Sequence, residues 1–161
     1  MFYLDLFAAL ARHRVEYLVI GGLAVSLHGV ERTTMDIDVV VEMSPDNLAA
    51  LVAVARELGM TPVLPVGLEV LTDLDLLRRW HRERHLAVFA LRAPGVAGVT
   101  LDVLLFPPVG FDGMQARACV FQVAAVPVVS ASIEDLIALK QAVGRPIDRT
   151  DIDHLRRLQE G

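Results

Sequence analysis

Cys119 is the only cysteine in 161 residues, so no internal disulfide staples this chain. Aromatic residues are scarce at 6%, with one tryptophan. The longest apolar runs, around Val99 to Val109 and Val120 to Val129, are strand-sized. None approaches the ~20 residues of a membrane-spanning helix, so no membrane association is expected. Met1-Phe2-Tyr3-Leu4-Asp5 carries none of the basic residues that open an export signal. With no disulfide and no export signal, the expected location is cytoplasmic. Positive charge is also in deficit. The net charge of −5 excludes a uniformly basic nucleic-acid-binding surface, though not a local basic patch. His81, His85 and His154 do not group with Cys119 or with each other at a zinc-ligand spacing. Apolar character is abundant instead: 54% hydrophobic residues and a mean hydropathy of +0.49 exclude disorder. The length predicts a single domain over 1–161 with a sizeable core.

The stretch from Tyr17 to Glu42 organises the rest. Tyr17-Leu18-Val19-Ile20 is a short apolar run that ends at Gly21-Gly22. Leu23, Ala24 and Leu27 then recur at helical spacing, and Gly29 closes the segment. Arg32-Thr33-Thr34-Met35 leads into Asp36-Ile37-Asp38 at the head of Val39-Val40-Val41. The pattern predicts strand, glycine turn, short helix, turn, strand. Side chains alternate along a strand, so Asp36 and Asp38 share one side while Ile37, Val39 and Val41 take the other. Two carboxylates a few ångströms apart repel and are costly to desolvate. They call for a compensating cation, and hard divalent ions, Mg²⁺ above all, suit oxygen ligands and commonly bind with substrate phosphates. Glycines let backbone N–H groups approach an anion, so Gly21-Gly22 adds a candidate phosphate cradle. Together they point to phosphoryl or nucleotidyl transfer.

Gly-Gly, a short helix and then Arg-x-Thr-x-Asp-x-Asp resembles the active-site signature of nucleotidyltransferases of the DNA polymerase β superfamily. Within it the stretch is similar to the small bacterial AbiEii-like group, several of which are toxins of toxin–antitoxin or abortive-infection systems. The resemblance implies an α/β (α+β) nucleotidyltransferase fold: a mixed sheet flanked by helices, with core 15–130 and a helical part 131–161. It implies two Mg²⁺ ions, with Mn²⁺ as a substitute, an NTP substrate, and an acceptor hydroxyl on RNA or tRNA, a protein or a small molecule. A cognate antitoxin is an implied partner. The competing expectation is a non-catalytic nucleotide- or partner-binding module of the same fold.

Elsewhere the periodicity predicts a helix over 2–13. A second helix over 45–58 is capped by Ser44 with Pro45 at its first position and stopped by Gly59. A loop with room for a short extended piece is expected over 61–69, and Thr72-Asp73-Leu74-Asp75 is expected to cap a short helix through Trp80. Arg78 to His85 is the most basic stretch. It is either a solvated face or, with Trp80, a contact for phosphates or RNA. Strands are expected over 86–91, 99–106, 117–123 and 126–129. Asp102 stands mid-strand among apolar residues, where an aspartate is disfavoured and again calls for a cation. By the resemblance it is the third catalytic carboxylate and metal ligand beside Asp36 and Asp38. Helices are expected from Ser132, which caps an acidic first turn, to Val143, and over 148–158. The 132–151 segment again resembles the AbiEii-like group. That likeness implies phosphate contacts for Lys140 and Arg145, alongside Gly21, Gly22 and Arg32. The alternative for Lys140 is pairing with Asp135 or Asp151. Thr34 either touches phosphate or buttresses the Asp strand.

Overall fold

The structure is a computed structural model that describes residues 2–30, 36–95, 98–143 and 146–160. Helix α1 (Phe2–Arg12) precedes strand β1 (Tyr17–Ile20), helix α2 (Gly21–Leu27), strand β2 (Ile37–Val41) and helix α3 (Pro45–Glu57). Next come the two-residue strand β3 (Thr61–Pro62), a 3₁₀ turn (Leu68–Thr72), helix α4 (Leu74–Glu83) and strands β4 (Val88–Arg92) and β5 (Thr100–Leu104). Helix α5 (Phe111–Ala116), the hairpin β6 (Cys119–Val123) and β7 (Val126–Ser130), and helices α6 (Ile133–Val143) and α7 (Pro146–Glu160) complete the chain.

The strands form one seven-stranded mixed sheet in the order β3-β4-β5-β2-β1-β7-β6. Strand β2 runs antiparallel to β1 and parallel to β5, and β7 runs parallel to β1. The two faces differ in how they are covered. On one face Tyr17, Val19, Ile37, Val39, Val41, Phe89, Leu91, Leu101 and Val103 are all buried. Helix α1 closes on this face through Phe7, whose ring lies 6.0 Å from that of Tyr17, and α3 packs against α1. Each fully buried Leu or Phe of this layer contributes about 1.5–3 kcal/mol. On the other face Leu18, Ile20 and Val40 are buried where α2 and α6 pack. That cover ends beyond β2: Val88 is 39% exposed, and Ala90, Asp102 and Leu104 are only half-buried. The open half of this face therefore begins at the Asp38–Asp102 strand pair.

Local sequence explains the frame. Ser44 caps α3 by accepting from the Asn47 N–H at 3.3 Å, and Pro45 takes the first position, as expected. Asn47, the only asparagine in the chain, does more. Its Oδ1 accepts from the Glu16 N–H at 2.7 Å, and its Nδ2 donates to the Glu16 and Glu42 carbonyls at 2.9 Å each. This buried amide clamps the start of β1 to the end of β2. It thereby fixes the hairpin from which Asp38 projects.

The short extended piece allowed within 61–69 is strand β3, where Thr61 and Pro62 pair with Arg92 and Leu91. Within the expected cap Thr72–Asp75 it is Asp73 that accepts from the Leu76 N–H, so the helix starts at Leu74. Other boundaries differ from expectation. Helix α7 begins at Pro146, where proline suits a first turn, rather than at residue 148. Helix α5 was not anticipated: six residues containing Gly113 carry too little periodicity.

Replacing the buried Asn47 with alanine removes the acceptor of the part-buried Glu16 amide and the donor to the Glu16 and Glu42 carbonyls. Asn47→Ala is expected to cost about 2–3 kcal/mol, read as a lower urea midpoint with an unchanged slope; an unaltered midpoint would show the clamp to be idle.

Candidate functional site

The parallel pairing of β2 with β5 sets Asp38 beside Asp102 and Ile37 beside Leu101. Continuing that register by one residue sets Asp36 beside Thr100. The Thr100 hydroxyl lies 2.9 Å from Asp102 Oδ1 and 3.1 Å from Asp36 Oδ1. It carries one proton and so shares it between the two carboxylates. On the other flank Ile20 pairs with Asp38, and the next residue, Gly21, lies against the Asp38 carboxylate. A Cβ at Gly21 would overlap Asp38 Oδ2, and its φ of +68° is one that side chains resist. Only glycine fits this turn. The first N–H groups of α2 follow it directly, and the Ile20 N-cap offers them no side-chain acceptor.

Charge accumulates here. The Asp38 carboxyl is pushed up to about 6. Burial is the main cause, followed by the charge of Asp102, a carboxyl–carboxyl hydrogen bond with it, and the charge of Asp36. Lys140 opposes the shift and so lies within electrostatic reach. Lys140 is the only lysine of the chain and is buried. Its Nζ donates to Asp151 Oδ2 at 3.1 Å and lies 3.7 Å from Asp148 Oδ1. Of the two expected pairings, Asp151 is the one formed. Asp135 instead takes a bidentate contact from Arg117, at 3.0 Å through Nε and 2.8 Å through Nη2. The Ser132–Asp135 cap is present, with the Asp135 N–H 3.1 Å from Ser132 Oγ.

The structure thus brings Asp36, Asp38, Asp102, Gly21 and Gly22 together, with Lys140 close by. Arg32, Thr34 and Arg145 lie outside the described residues. The basic stretch lies mostly on α4, and part of it is structural. Arg84 caps the Trp80 ring at 4.9 Å, and His81 bonds the Leu86 carbonyl at 2.8 Å. An open groove of about 670 Å³ lined by Met60, Thr61, Leu64 and Val66 lies at the β3 edge, three strands from Asp36. Thr100 was missed because a threonine in a strand is ordinary in sequence. The strand alternation Thr100-x-Asp102 was the available signal.

The donor set can be tested for a cation. It consists of oxygen atoms alone, which suits Mg²⁺ or Mn²⁺ rather than a softer ion. The Asp38 carboxyl is raised first by burial and then by its acidic neighbours, and a bound cation would offset both. Among the described residues no three His, Cys, Asp or Glu side chains close around a single point. The carboxylates therefore fit as an open set that needs further ligands, such as substrate phosphates.

Comparison of the sequence with protein-family profiles and with curated proteins gives no match. Solved structures do match. The lincomycin-bound lincosamide antibiotic adenylyltransferase LnuA is 16% identical, with a TM-score of 0.59 over 98% of this chain and 94% of its own. ANT(2″)-Ia in complex with adenylyl-2″-tobramycin is 17% identical, with a TM-score of 0.56 over 99% and 88%. The solution structure of the antibiotic-resistance factor ANT(2″)-Ia gives 18% and 0.56 over 96% and 78%. At these identities the likeness establishes the fold, which is that of nucleotidyltransferases.

Two predictions follow from the geometry. An acid whose folded pKa is raised above its unfolded value holds its proton more tightly when folded, so ionising it costs stability. Asp38→Asn should therefore stabilise the metal-free protein by about 1–3 kcal/mol above pH 6, or about 5 °C in melting temperature. The gap should close as pH falls from about 6 towards 4. A melting curve equal to wild type at pH 8 would contradict this. Thr100→Val should weaken Mn²⁺ binding by about 10–100-fold, as loss of a ligand-orienting partner does, and Thr100→Ser should restore it. Electron paramagnetic resonance of free Mn²⁺ measures both.

Proposed function

We propose that this protein transfers a nucleoside monophosphate from an NTP to a hydroxyl of a small-molecule acceptor. The observation that carries this reading is the pairing of Asp38 with Asp102, with Asp36 tied to the same Thr100 hydroxyl and Gly21 closed against Asp38. Two further points favour a small acceptor. The net charge of −5 disfavours a polyanionic one. The chain also matches nearly the whole length of LnuA, whose structure holds lincomycin.

Asp36, Asp38 and Asp102 would hold divalent ions. Bound there, Mg²⁺ or Mn²⁺ would supply Lewis-acid polarisation of the phosphate and offset charge on the leaving pyrophosphate. The backbone N–H groups at Gly21 and Gly22 orient the β- and γ-phosphates, and the lack of side chains keeps that approach open. Asp102, at the edge of the open half-face, takes the proton of the acceptor hydroxyl. The acceptor oxygen then bonds to the α-phosphorus as the bond to pyrophosphate breaks. Thr100 holds Asp36 and Asp102 in register throughout. Lys140 acts from behind Asp38, held by Asp148 and Asp151, as a fixed positive charge that lowers the cost of gathering acids and phosphates. Arg32, Thr34 and Arg145 belong to the same proposal as further phosphate contacts.

A second reading keeps the chemistry and changes the acceptor to tRNA, as the AbiEii-like resemblance implies, with a toxin role and an antitoxin partner. The exposed Arg78, Arg79, Arg82 and Arg84 around α4 favour it. Incubation with Mg²⁺ and α-labelled ATP, offering lincomycin, tobramycin, glucose 6-phosphate and total tRNA separately, decides between them. Label is expected on a small molecule, reduced about a hundredfold or more by Asp36→Asn, Asp38→Asn or Asp102→Asn. Label on tRNA selects the second reading. Nucleotide binding without transfer to any acceptor would make the protein a binding module.

A further inference from the structure

The open half of the active face carries a cation that no role above uses. Arg92 ends β4, and its register partner is Thr100. Antiparallel partners share a face, so Arg92 stands on the same side of the sheet as Thr100, Asp102 and Asp38. The burial of β4 agrees: Phe89 and Leu91 are buried on the far face, while Val88 and Arg92 are exposed on this one. Arg92 is two residues beyond Ala90, the partner of Asp102. This diagonal separates the two positions by about 7–8 Å, within the reach of an arginine side chain.

Among the described residues Arg92 makes no ion pair. The nearby carboxylate atoms Asp36 Oδ1 and Asp102 Oδ1 both accept from the Thr100 hydroxyl, and Thr100 is the register partner of Arg92. Among the described residues the other cation near the acids, Lys140, is committed to Asp148 and Asp151. Arg92's register partners, Thr100 on β5 and Thr61 on β3, are uncharged, and Asp102 on the diagonal is the nearest acid among its strand neighbours on this face. Strand order also separates the two ends of the site. Gly21 follows β1 on one side of β2, while β5 and β4 lie on the other. With phosphates of the nucleotide on the glycine side, Arg92 is left on the side the acceptor must enter.

We propose that Arg92 is the acceptor-recognition residue and that it binds a carboxylate or phosphate group on the small molecule whose hydroxyl reacts at Asp102. This assignment rests on the nucleotidyl-transfer function proposed above. A guanidinium offers two parallel N–H donors to such a group and repels a polycation. The acceptor class is therefore an anionic hydroxylated metabolite, with polyamines of the tobramycin kind disfavoured.

The test uses glucose 6-phosphate and glucose as probes, titrated into the full chain with Mg²⁺ and α,β-methylene-ATP. Binding is followed calorimetrically and by the arginine Nε–Hε resonances. Glucose 6-phosphate is expected to bind at least about tenfold more tightly than glucose and to shift the Arg92 signal. Arg92→Gln should abolish that preference, Arg92→Lys should retain part of it, and neither should change α,β-methylene-ATP affinity. The proposal is overturned if glucose 6-phosphate leaves the Arg92 signal unmoved, or if Arg92→Gln keeps the preference. It is equally overturned if Arg92→Gln weakens nucleotide binding as much as sugar-phosphate binding, which would put the guanidinium on the nucleotide side. If the wild type ignores α,β-methylene-ATP yet still discriminates the sugars through Arg92, the transferase function fails and the anion site stands.

Discussion

Repulsion among three carboxylates is the constraint around which this molecule is arranged. Asp38 is half-buried in a strand that is otherwise apolar, next to Asp102 and near Asp36, and its carboxyl responds by holding its proton to about pH 6. The neighbouring features temper that repulsion or leave room for something that does. Thr100 spreads one proton over two acids. Gly21 withdraws its side chain from Asp38. Lys140 stands behind with its charge, and the open half-face leaves space for ions and phosphates. Removing the Asp38 charge is expected to make the protein more stable, which is why an acid at that place in an apolar strand points to chemistry rather than to folding.

The fold keeps that arrangement rigid at modest cost. On one face the strands β1, β2, β4 and β5 present buried, mainly apolar side chains covered by α1 and α3, so β2 cannot slip by one residue without turning Ile37, Val39 and Val41 to the other side. Register is what sets Asp38 opposite Asp102 and Thr100 opposite Arg92. The Asn47 amide reinforces it at the other end of the β1–β2 hairpin. Packing on the far face thus decides side-chain placement on the working face.

Much of this was legible in the residues. Alternation of Asp36 and Asp38 with Ile37 and Val39 disclosed a strand with one charged side, and Ser44-Pro45 disclosed a helix start. Asp102 announced itself as an acid in an apolar strand. Pairing across the sheet was not legible, because nothing local encodes which strands lie side by side. Thr100, Arg92 and Asn47 acquire meaning only through that pairing. The destination of Lys140 was open in sequence because Asp135 and Asp151 sit at comparable separations along the chain. The structure gives Asp135 to Arg117, a residue in the turn before β6. The nucleotidyltransferase fold was anticipated from the glycine and aspartate pattern, whereas likeness to antibiotic adenylyltransferases emerged only in three dimensions.

The solitary lysine has a practical consequence. The residue is 6% exposed and its amine is held by two acids, so the cations on the described surface are supplied by arginine and histidine. Reagents that acylate or cross-link side-chain amines will find almost nothing to modify on the folded protein. Labelling located specifically on the Lys140 side chain, read apart from the α-amine, should therefore report on the opening of the C-terminal helices.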